Sequence, residues 1–358
     1  MIKNQSNQTA AVLCLAAALM AQIAFAQKPY RRGTTAANFL EIGYGSWGNA
    51  MGDAAVASVQ DLSSVYWNPA GLALMRQSGV QFLMQPWIAG INSTYASAAL
   101  ALPRLGTFAV GFYQMDYGRE PVTTMEFQEG TGEHYTAADY CVSLSYARKL
   151  AQWFAFGASV KMVNQRIWHE SGSAFALDLG VRVNTLFFSP TGDRADGLSI
   201  GMSISNYGTR LKMDGMDLLQ PIDPNPFTHG EYDNVEGQYK TQGWELPLMF
   251  RIGFAVHPLA TENQRLTLAV DALHPNNNSE SVNVGGQYAF TVHSIGSVYF
   301  RGGYKALFMP KSQYGPSYGL GFIYRMSKLN NMAVQVDYAY RDVGILGALH
   351  SYTFSFLF

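Results

Sequence analysis

Charged residues are scarce in this sequence, and no long apolar run follows its N-terminus. Only 14% of the 358 residues are charged and the formal net charge is −1, which excludes the basic surface that binds nucleic acid. Beyond residue 26 no uncharged apolar run approaches the roughly 18 residues that a transmembrane helix needs. Cysteine is nearly absent. Cys141 is the single cysteine after that point, so an intramolecular disulfide is excluded.

Aromatic residues are plentiful by contrast, at 13% of the chain, while the mean hydropathy is close to neutral, at −0.02. Aromatic richness with few charges and no hydrophobic helix is typical of a membrane β-barrel, because half of each strand faces lipid and the other half faces the lumen. The composition therefore favours a barrel in a lipid bilayer.

The first 26 residues have the features of a signal peptide. Lys3 supplies a positive charge, residues 10–23 form an apolar core, and Ala24-Phe25-Ala26 is a cleavage signal. We expect cleavage near Ala26/Gln27 and export to the cell outer membrane. Cys14 lies within the apolar core and lacks the preceding pattern of a lipoprotein site, so lipidation is not expected.

From Gly79 onward apolar residues alternate with small or polar ones, which predicts β-strands with two different faces. The runs are longer than sandwich strands and match the nine to eleven residues of a tilted membrane strand. We predict an all-β fold, a transmembrane antiparallel barrel of about fourteen strands. The predicted strands are 79–87, 94–102, 106–116, 137–149, 152–166, 172–187, 197–207, 245–257, 264–273, 281–292, 296–306, 315–327, 331–341 and 347–358.

The connections between these strands sort into two groups. Odd-numbered connections include the longest, 117–136 and 208–244, and even-numbered ones include Pro103-Arg104-Leu105, Ala151 and Lys328-Leu329-Asn330. Outer-membrane barrels have short periplasmic turns and long external loops. Both chain ends are therefore predicted to lie in the periplasm.

The last predicted strand ends the chain on an aromatic residue. Tyr352, Phe354, Phe356 and Phe358 alternate with polar residues. This ending resembles the signal by which the barrel assembly machinery recognises outer-membrane proteins. In a soluble protein such an aromatic edge would favour aggregation.

The segment before the first strand differs from the rest of the chain. It is rich in small residues, and Asn68-Pro69-Ala70-Gly71 has the chemistry of a chain reversal, in which Gly71 can take a positive φ. We predict that residues 27–75 are a periplasmic N-terminus and a hatch, or plug, inside the lumen of a barrel formed by residues 76–358. The Asn68-to-Gly71 turn is predicted to anchor this hatch.

Parts of this segment resemble a known family. The stretches Phe39-Leu40-Glu41-Ile42-Gly43, Ala50-Met51-Gly52-Asp53-Ala54, Val56-Ala57-Ser58-Val59 and Ser64-Val65-Tyr66-Trp67-Asn68-Pro69-Ala70-Gly71-Leu72 are similar to the start of the PorV/PorQ outer-membrane proteins, relatives of the FadL fatty-acid channel. The resemblance implies association with type IX protein secretion, and thus secretion components or exported proteins as partners. FadL kinship implies the alternative, a channel for hydrophobic small molecules. Gly71 stands where Lys is expected in PorV itself, which favours a paralogue.

No constellation of residues in the sequence indicates an enzyme, a cofactor or a metal site. The histidines lack metal-ligand spacing, and Gly43-x-Gly45-x-x-Gly48 does not follow a strand as a dinucleotide site requires. A barrel phospholipase, which uses a Ser and a His, remains the enzymatic alternative.

Charged residues on the small-residue face of the strands are predicted to face the lumen, because the opposite face meets lipid. They are Lys161, Asp178, Arg182, Arg251, Asp271, Arg301, Asp337 and Arg341. We expect them to pair with one another and with the hatch backbone, in preference to forming a selectivity filter. The loop 208–244 is apolar enough to cover the barrel mouth, accept a hydrophobic ligand or bind a protein, and the sequence does not separate these roles.

Overall fold

The computed structural model describes residues 31–223, 227, 235–292, 295–326 and 332–358. The strands are β1 (Gly79–Pro86), β2 (Asn92–Leu102), β3 (Gly106–Pro121), β4 (His134–Ala151), β5 (Phe154–Ile167), β6 (Glu170–Asn184), β7 (Ser199–Gly208), β8 (Asp214–Gly215), β9 (Leu219–Ile222), β10 (Val235–Gln238), β11 (Met249–Ala260), β12 (Gln264–Pro275), β13 (Ser281–Val292), β14 (Gly296–Leu307), β15 (Pro316–Met326), β16 (Met332–Asp342) and β17 (Ala348–Leu357).

Fourteen of these strands, β1–β7 and β11–β17, form one closed antiparallel barrel. Each pairs with its neighbours along the chain, and β1 closes the barrel by pairing with β17 from Gly79↔Leu357 to Met84↔Tyr352. The predicted fold class and strand number are confirmed.

The two faces of each strand differ in burial, as the alternation predicts. In β6, Phe175 is 58% exposed and Leu179 is 37% exposed on the outer face, whereas Asp178 and Arg182 on the inner face are at most 2% exposed. The apolar outer face is available to lipid, and the inner face packs against the N-terminal segment.

Several strand ends differ from the predicted ones. β3 runs to Pro121 and β4 begins at His134, because their pairing continues past an irregularity between Asp116 and Arg119. β11 begins at Met249 and not at residue 245, since Pro247 lacks the N–H that a ladder requires.

The connections 103–105, 152–153 and 261–263 lie at one end of the barrel, which we call the short-turn end, and 122–133 and the longest connection, 209–248, lie at the other, which we call the long-loop end. The separation by length has exceptions among the described connections: 185–198 is a longer loop at the short-turn end, and 168–169 is a two-residue turn at the long-loop end. The predicted turn Lys328-Leu329-Asn330 lies outside the described residues, as do residues 1–30 with the predicted signal peptide. The described part of the long loop contains β8, β9 and β10. β8 pairs with the first residues of β6, Glu170 and Ser171, at the long-loop end of the barrel.

The first described residues lie at the long-loop end, and the N-terminal end of the chain, which we predicted to lie in the periplasm, is outside the described residues. Arg32 Nε donates to Asn278 Oδ1 at 3.0 Å, and Thr35 bridges to Glu245; both partners follow long-loop ends of strands. The other end follows the prediction, since Phe358 N donates to Ser78 O at the short-turn end. The chain therefore enters the lumen from the long-loop end and crosses it before β1 begins.

Helices are short. Two α-helices span Ser46–Ala50 and Ser64–Trp67, and 3-10 helices span Asn38–Glu41, Pro69–Leu74, Ile88–Gly90, Arg194–Asp196, Met216–Leu218 and Gly344–Leu346. Among the described residues, no helix has the length and apolarity needed to cross a membrane.

Candidate functional site

The lumen is occupied by residues 38–75, which we call the hatch. Its small residues let the chain fold compactly without a large core of its own: Ala50, Ala54, Ala55 and Ala57 are all fully buried. Gly52 and Asp53 both have left-handed backbone conformations, with φ of 62° and 64°. This pair reverses the chain after the Ser46–Ala50 helix, and it directs the Asp53 side chain at the barrel wall.

Glycines on the inner face of the barrel allow the hatch backbone to approach the wall. A Cβ atom added at Gly180 would lie 2.1 Å from Asn68 Oδ1, and one at Gly157 would lie 2.4 Å from the Pro69 carbonyl carbon. A Cβ atom added at Gly201 would lie 2.3 Å from Val56 O. Glycine within a strand often marks close approach of another backbone. These glycines fix where the hatch is seated.

The predicted hatch turn sits against β5 and β6. Asn68 is fully buried, and its Nδ2 donates to Val56 O at 2.8 Å and to Val181 O at 3.0 Å, so it joins two parts of the hatch to the wall. Its Oδ1 accepts from Ala70 N and caps the 3-10 helix that begins at Pro69.

Gly71 plays a different role from the predicted one. It lies inside the Pro69–Leu74 helix and is not among the described glycines with positive φ. A Cβ there would lie 2.6 Å from Ser64 Oγ and 2.7 Å from Val59 O. Glycine is needed at this position for close packing and not for a left-handed turn, and Asn68, with an extended backbone, separates the Ser64–Trp67 helix from the Pro69–Leu74 helix.

All eight charged residues predicted to face the lumen are buried on the inner face, at 6% exposure or less. Four of them form two ion pairs. Lys161 Nζ on β5 lies 2.5 Å from Asp178 Oδ2 on the neighbouring β6. Arg301 Nη1 on β14 lies 2.5 Å from Asp337 Oδ1 on β16, two strands away. Buried charges need such partners, because removal from water is costly for an unpaired ion.

The other four charges contact the hatch. Asp271 Oδ2 accepts from the backbone N–H of Ala55 and Val56 at 2.7 and 2.9 Å. Arg182 Nη1 donates to Val59 O at 2.8 Å. The set of contacts is completed by Arg251, whose guanidinium lies over the ring of Tyr66, and by Arg341, which pairs with Asp53. Four of the eight predicted charges therefore pair with one another, and the other four contact the hatch.

Sequence reasoning missed the centre of this charge network. Asp53 pairs with both Arg341 and Lys305, and neither Asp53 nor Lys305 was among the predicted charges. Burial opposes ionisation of Asp53, but the two cations outweigh it and lower the pKa of its carboxyl. Lys305 is separated from Arg301 by four positions, which places it on the same strand face. The spacing from Arg301 could therefore have identified Lys305 as a lumen-facing charge from the sequence.

An apolar cluster, which we call the apolar column, is formed by side chains of the hatch packed against side chains from the inner face of β1–β6. Its buried members include Phe39, Tyr44, Tyr66, Trp67, Leu83, Tyr95, Tyr113, Met115, Cys141 and Val163. Half-buried Trp87, Ile91, Tyr117 and Met213 pack against it at the long-loop end. The column therefore runs from the mouth of the barrel to the hatch. The structure brings Met213 of the long loop to this column and leaves Met216 72% exposed.

Three of the aromatic residues predicted as the assembly signal, Tyr352, Phe354 and Phe356, alternate along β17, and Phe358 follows its last residue. Tyr352, Phe354 and Phe358 are about half exposed, between 48% and 50%, and the rings of Phe356 and Phe358 are tilted, with centroids 6.0 Å apart. They contribute to the lipid-facing surface. Among the described residues no group of three His, Cys, Asp or Glu side chains is placed to hold a metal ion.

A closed fourteen-stranded barrel with an apolar outer face and a lumen filled by its own N-terminal segment defines an outer-membrane β-barrel with a hatch. No family model and no curated protein matches the sequence. Solved structures do match the fold.

The toluene transporter TodX of Pseudomonas putida is similar, with a TM-score of 0.54 and 12% identity, over 88% of this chain and 98% of that one. A FadL homologue of Pseudomonas aeruginosa has a TM-score of 0.51 and 11% identity, over 92% and 98%. The toluene transporter TbuX of Ralstonia pickettii has a TM-score of 0.51 and 12% identity, over 88% and 97%. The chain therefore has the fold of these outer-membrane barrels, two of which are toluene transporters and one a FadL homologue.

Proposed function

We propose that this protein is a non-enzymatic outer-membrane channel for the uptake of hydrophobic small molecules. The apolar column carries the proposal, because it offers an apolar site inside a barrel whose inner face is otherwise rich in polar and charged residues. Sites for small molecules are mostly apolar with a few placed polar groups. Similar solved structures, the toluene transporters TodX and TbuX and the monoaromatic hydrocarbon channel CymD, support the same class of cargo.

The proposed route begins at the long-loop end. Trp87, Ile91 and Met213 are half-buried there, so an apolar molecule can leave water gradually as it enters. The hatch blocks further passage, and its ion pairs and buried turn keep it seated in the absence of cargo. Transport therefore requires a local shift of the hatch, whereas the barrel wall stays in place.

Uptake by a deletion strain tests the proposal, with toluene and a long-chain fatty acid as probes. Re-expressed protein is expected to restore accumulation of at least one probe. Met115→Gln changes a buried column residue to a polar one of similar length and is expected to reduce uptake. Met125→Gln is the matched control, because Met125 is 94% exposed in a loop. Equal uptake with and without the protein would contradict the proposal.

A second candidate function is the handling of exported proteins in type IX secretion, as the PorV/PorQ resemblance implies. Exposed apolar side chains at the long-loop end favour it: Phe308 is 84% and Ile345 is 87% exposed, in the connections after β14 and β16. Such side chains outside the lipid-facing wall suit a protein partner. In a deletion strain, periplasmic accumulation of proteins with C-terminal sorting domains would support this function, and normal export would count against it.

The maturation of the chain belongs to the same proposal. We propose that residues 1–26 direct export and are cleaved near Ala26/Gln27, that residues 27–75 supply the N-terminal segment together with the hatch, and that the assembly machinery inserts residues 76–358 as the barrel. The surrounding partner of the barrel is then outer-membrane lipid. Mass spectrometry of the N-terminus of protein purified from outer membranes tests the cleavage position.

A further inference from the structure

The connection between β6 and β7, residues 185–198, is the longest described loop at the short-turn end. The connections 103–105, 152–153 and 261–263 at the same end need only two or three residues each. Loops of about this length are usually functional. We call this segment the β6–β7 loop.

The β6–β7 loop is held together by its own side chains. Ser189 Oγ donates to Asp193 O at 2.7 Å, and Thr191 Oγ1 donates to Asp196 Oδ2 at 2.7 Å. Asp193 Oδ1 accepts from Ala195 N and caps the short 3-10 helix of the loop. The loop can therefore move as one body.

Arg265 of β12 ties the tip of this loop to the inner face of the barrel. Its Nη2 donates to Ala195 O at 2.6 Å, and its Nη1 lies 3.1 Å from Asp196 Oδ1. Nε of the same guanidinium donates to His257 Nδ1 on β11 at 3.4 Å. Arg265 lies on the same face of β12 as the buried Thr267. Because β12 is two strands away from β7, the loop reaches along the inner rim of the barrel past β11.

A second arginine joins both ends of the β6–β7 loop to the hatch. Arg182 Nε donates to Asn184 Oδ1 at 3.1 Å and Nη2 donates to Ser199 Oγ at 3.4 Å. Asn184 is the last residue of β6 and Ser199 is the first residue of β7. The remaining nitrogen, Nη1, donates to Val59 O of the hatch at 2.8 Å. One guanidinium thus contacts the hatch and the two stems of the loop.

We propose that the β6–β7 loop is a gate over the exit of the lumen, that Arg265 latches it closed, and that Arg182 couples its opening to a shift of the hatch. The inference rests on the proposed channel function, which gives cargo a path from the long-loop end to the short-turn end. The hatch and the loop are then two barriers in series. A shift of Val59 that releases Arg182 also frees the stems of the loop.

The position of the latch at the edge of the solvent suits reversible opening. The side chains of Arg265 and Asp196 are 35% and 17% exposed, whereas those of the buried pair Arg301 and Asp337 are 1% and 2% exposed. Charges beside water are rehydrated when they separate, so this pair opens at a lower cost than a fully buried one. Arg265 can therefore release the loop while the buried pairs stay intact.

Conductance in planar bilayers with potassium chloride, normalised to inserted barrels, tests the latch. Arg265→Met keeps a long side chain and removes the contacts to Ala195, Asp196 and His257. The probability of the open state is expected to rise about tenfold, as the loss of a charge-assisted hydrogen bond predicts. Asp196→Asn breaks the ion pair from the loop side and is expected to act in the same direction, so the test stands if Arg265→Met does not assemble.

Arg194→Met is the matched control for both variants. Arg194 lies in the same 3-10 helix, and its side chain has no hydrogen bond or ion pair among the described residues. Its open probability is expected to equal that of the wild type. The gate is overturned if Arg265→Met and Asp196→Asn conduct no more than Arg194→Met.

The coupling is tested by a double-mutant cycle. Arg182→Lys keeps the charge, but a single ammonium group does not reproduce the planar fork that reaches Val59, Asn184 and Ser199 together. If both arginines act on one movement, the effects of Arg182→Lys and Arg265→Met on the logarithm of the open probability are not additive. Additive effects would overturn the coupling. Ser199→Ala removes one of the same contacts by a smaller change and replaces Arg182→Lys if that variant does not assemble.

Uptake by cells separates the gate from the proposed function. Higher conductance of Arg265→Met, without uptake of toluene or fatty acid by any variant, would establish the gate and contradict the proposed cargo. Uptake that depends on the protein, together with equal conductance of Arg265→Met and the wild type, would leave the channel standing and defeat the gate.

Discussion

Oδ2 of Asp53 in the hatch lies 2.7 Å from Nζ of Lys305 in the barrel wall. The other carboxylate oxygen of Asp53 pairs with Arg341 on β16, so one hatch residue connects two strands. Asp53 is 3% exposed and is the carboxylate that pairs with both cations, although Arg341 also donates to Asn49 O at 2.9 Å and Lys305 lies over the ring of Tyr314. This contact is the strongest candidate for the electrostatic lock of the hatch.

Replacing Asp53 by Asn is expected to loosen the hatch while the barrel stays assembled. The change leaves Lys305 and Arg341 without their counter-charge, and breaking a buried ion pair in this way costs about 3–5 kcal/mol. Conductance in planar bilayers, normalised to inserted barrels, should rise. Asp217→Asn is the matched control, because Asp217 pairs with His169 in an exposed loop at 43% side-chain exposure. A conductance equal in both variants would argue against the lock.

Acid is expected to act on the same contact. Burial alone would raise the pKa of Asp53, but Arg341 and Lys305 lower it below the unfolded value of about 3.9. A lowered pKa means that the stabilisation is present above about pH 4 and is lost as the pH falls through the folded-state pKa. Wild-type conductance should therefore rise as the pH is lowered below about 4.

Two other hatch carboxyls, Glu41 and Asp61, affect stability with the opposite dependence on pH. Burial raises the pKa of Glu41 and of Asp61, so their contribution is present below about pH 4 and is lost as the pH rises through their raised pKa values. They are unchanged in Asp53→Asn. The difference in acid response between the wild type and this variant thus isolates Asp53, and identical responses would exclude it as the acid-sensitive group.

The double change Asn68→Ala with Gly71→Val is expected to unseat the turn. It removes two hydrogen bonds from Asn68 to carbonyl groups and adds side-chain atoms where a Cβ already approaches Ser64 Oγ to 2.6 Å. Leakage of small solutes should increase per inserted barrel. Closed traces like those of the wild type would defeat the anchoring role. A lower amount of folded protein without altered conductance would show that the turn serves barrel formation instead.

Neighbouring positions in β6 are expected to respond differently to substitution. Leu179→Arg places a charge on the lipid-facing side and should cost about 2–4 kcal/mol of barrel stability near the bilayer midplane. Gly180→Arg points inward, where a Cβ lies 2.1 Å from Asn68 Oδ1, and should displace the hatch. Heat-modifiable migration reports the first effect and conductance the second. The same outcome at both sites would mean that the strand faces are assigned incorrectly.

The terminal aromatic is expected to matter for assembly in cells more than for the finished barrel. Phe358→Ala should reduce the amount of barrel in the outer membrane, while refolding of the purified protein in detergent stays close to that of the wild type. Phe82→Ala, at an outward aromatic on β1 that is 59% exposed, serves as control. If both variants lose the same amount in cells, general loss of lipid-facing area explains the effect and the assembly signal does not.

Much of the barrel follows from the sequence because its cause is local. Alternation of residues such as Phe175, Leu177 and Leu179 with Asp178 and Gly180 specifies both the strand and its two faces, and a side-chain period of two permits no other assignment of faces. The strand count and the buried inner-face charges could be predicted for that reason. Strand ends were less certain, because pairing across the irregularity near Arg119 depends on the neighbouring strand.

Tertiary structure alone decided how the hatch meets the wall. Nothing in the local pattern shows that Asp53 lies between Lys305 and Arg341, or that the ring of Tyr44 packs against those of Tyr66, Tyr95 and Tyr113, since these contacts join residues far apart in the chain. The same holds for Gly71, whose φ and neighbours depend on the packing of Ser64 and Val59. The alternation of a strand is a property of its own short segment, so the sequence determines it. The path of the hatch depends on glycines and charges of several strands, which come together only when the barrel closes.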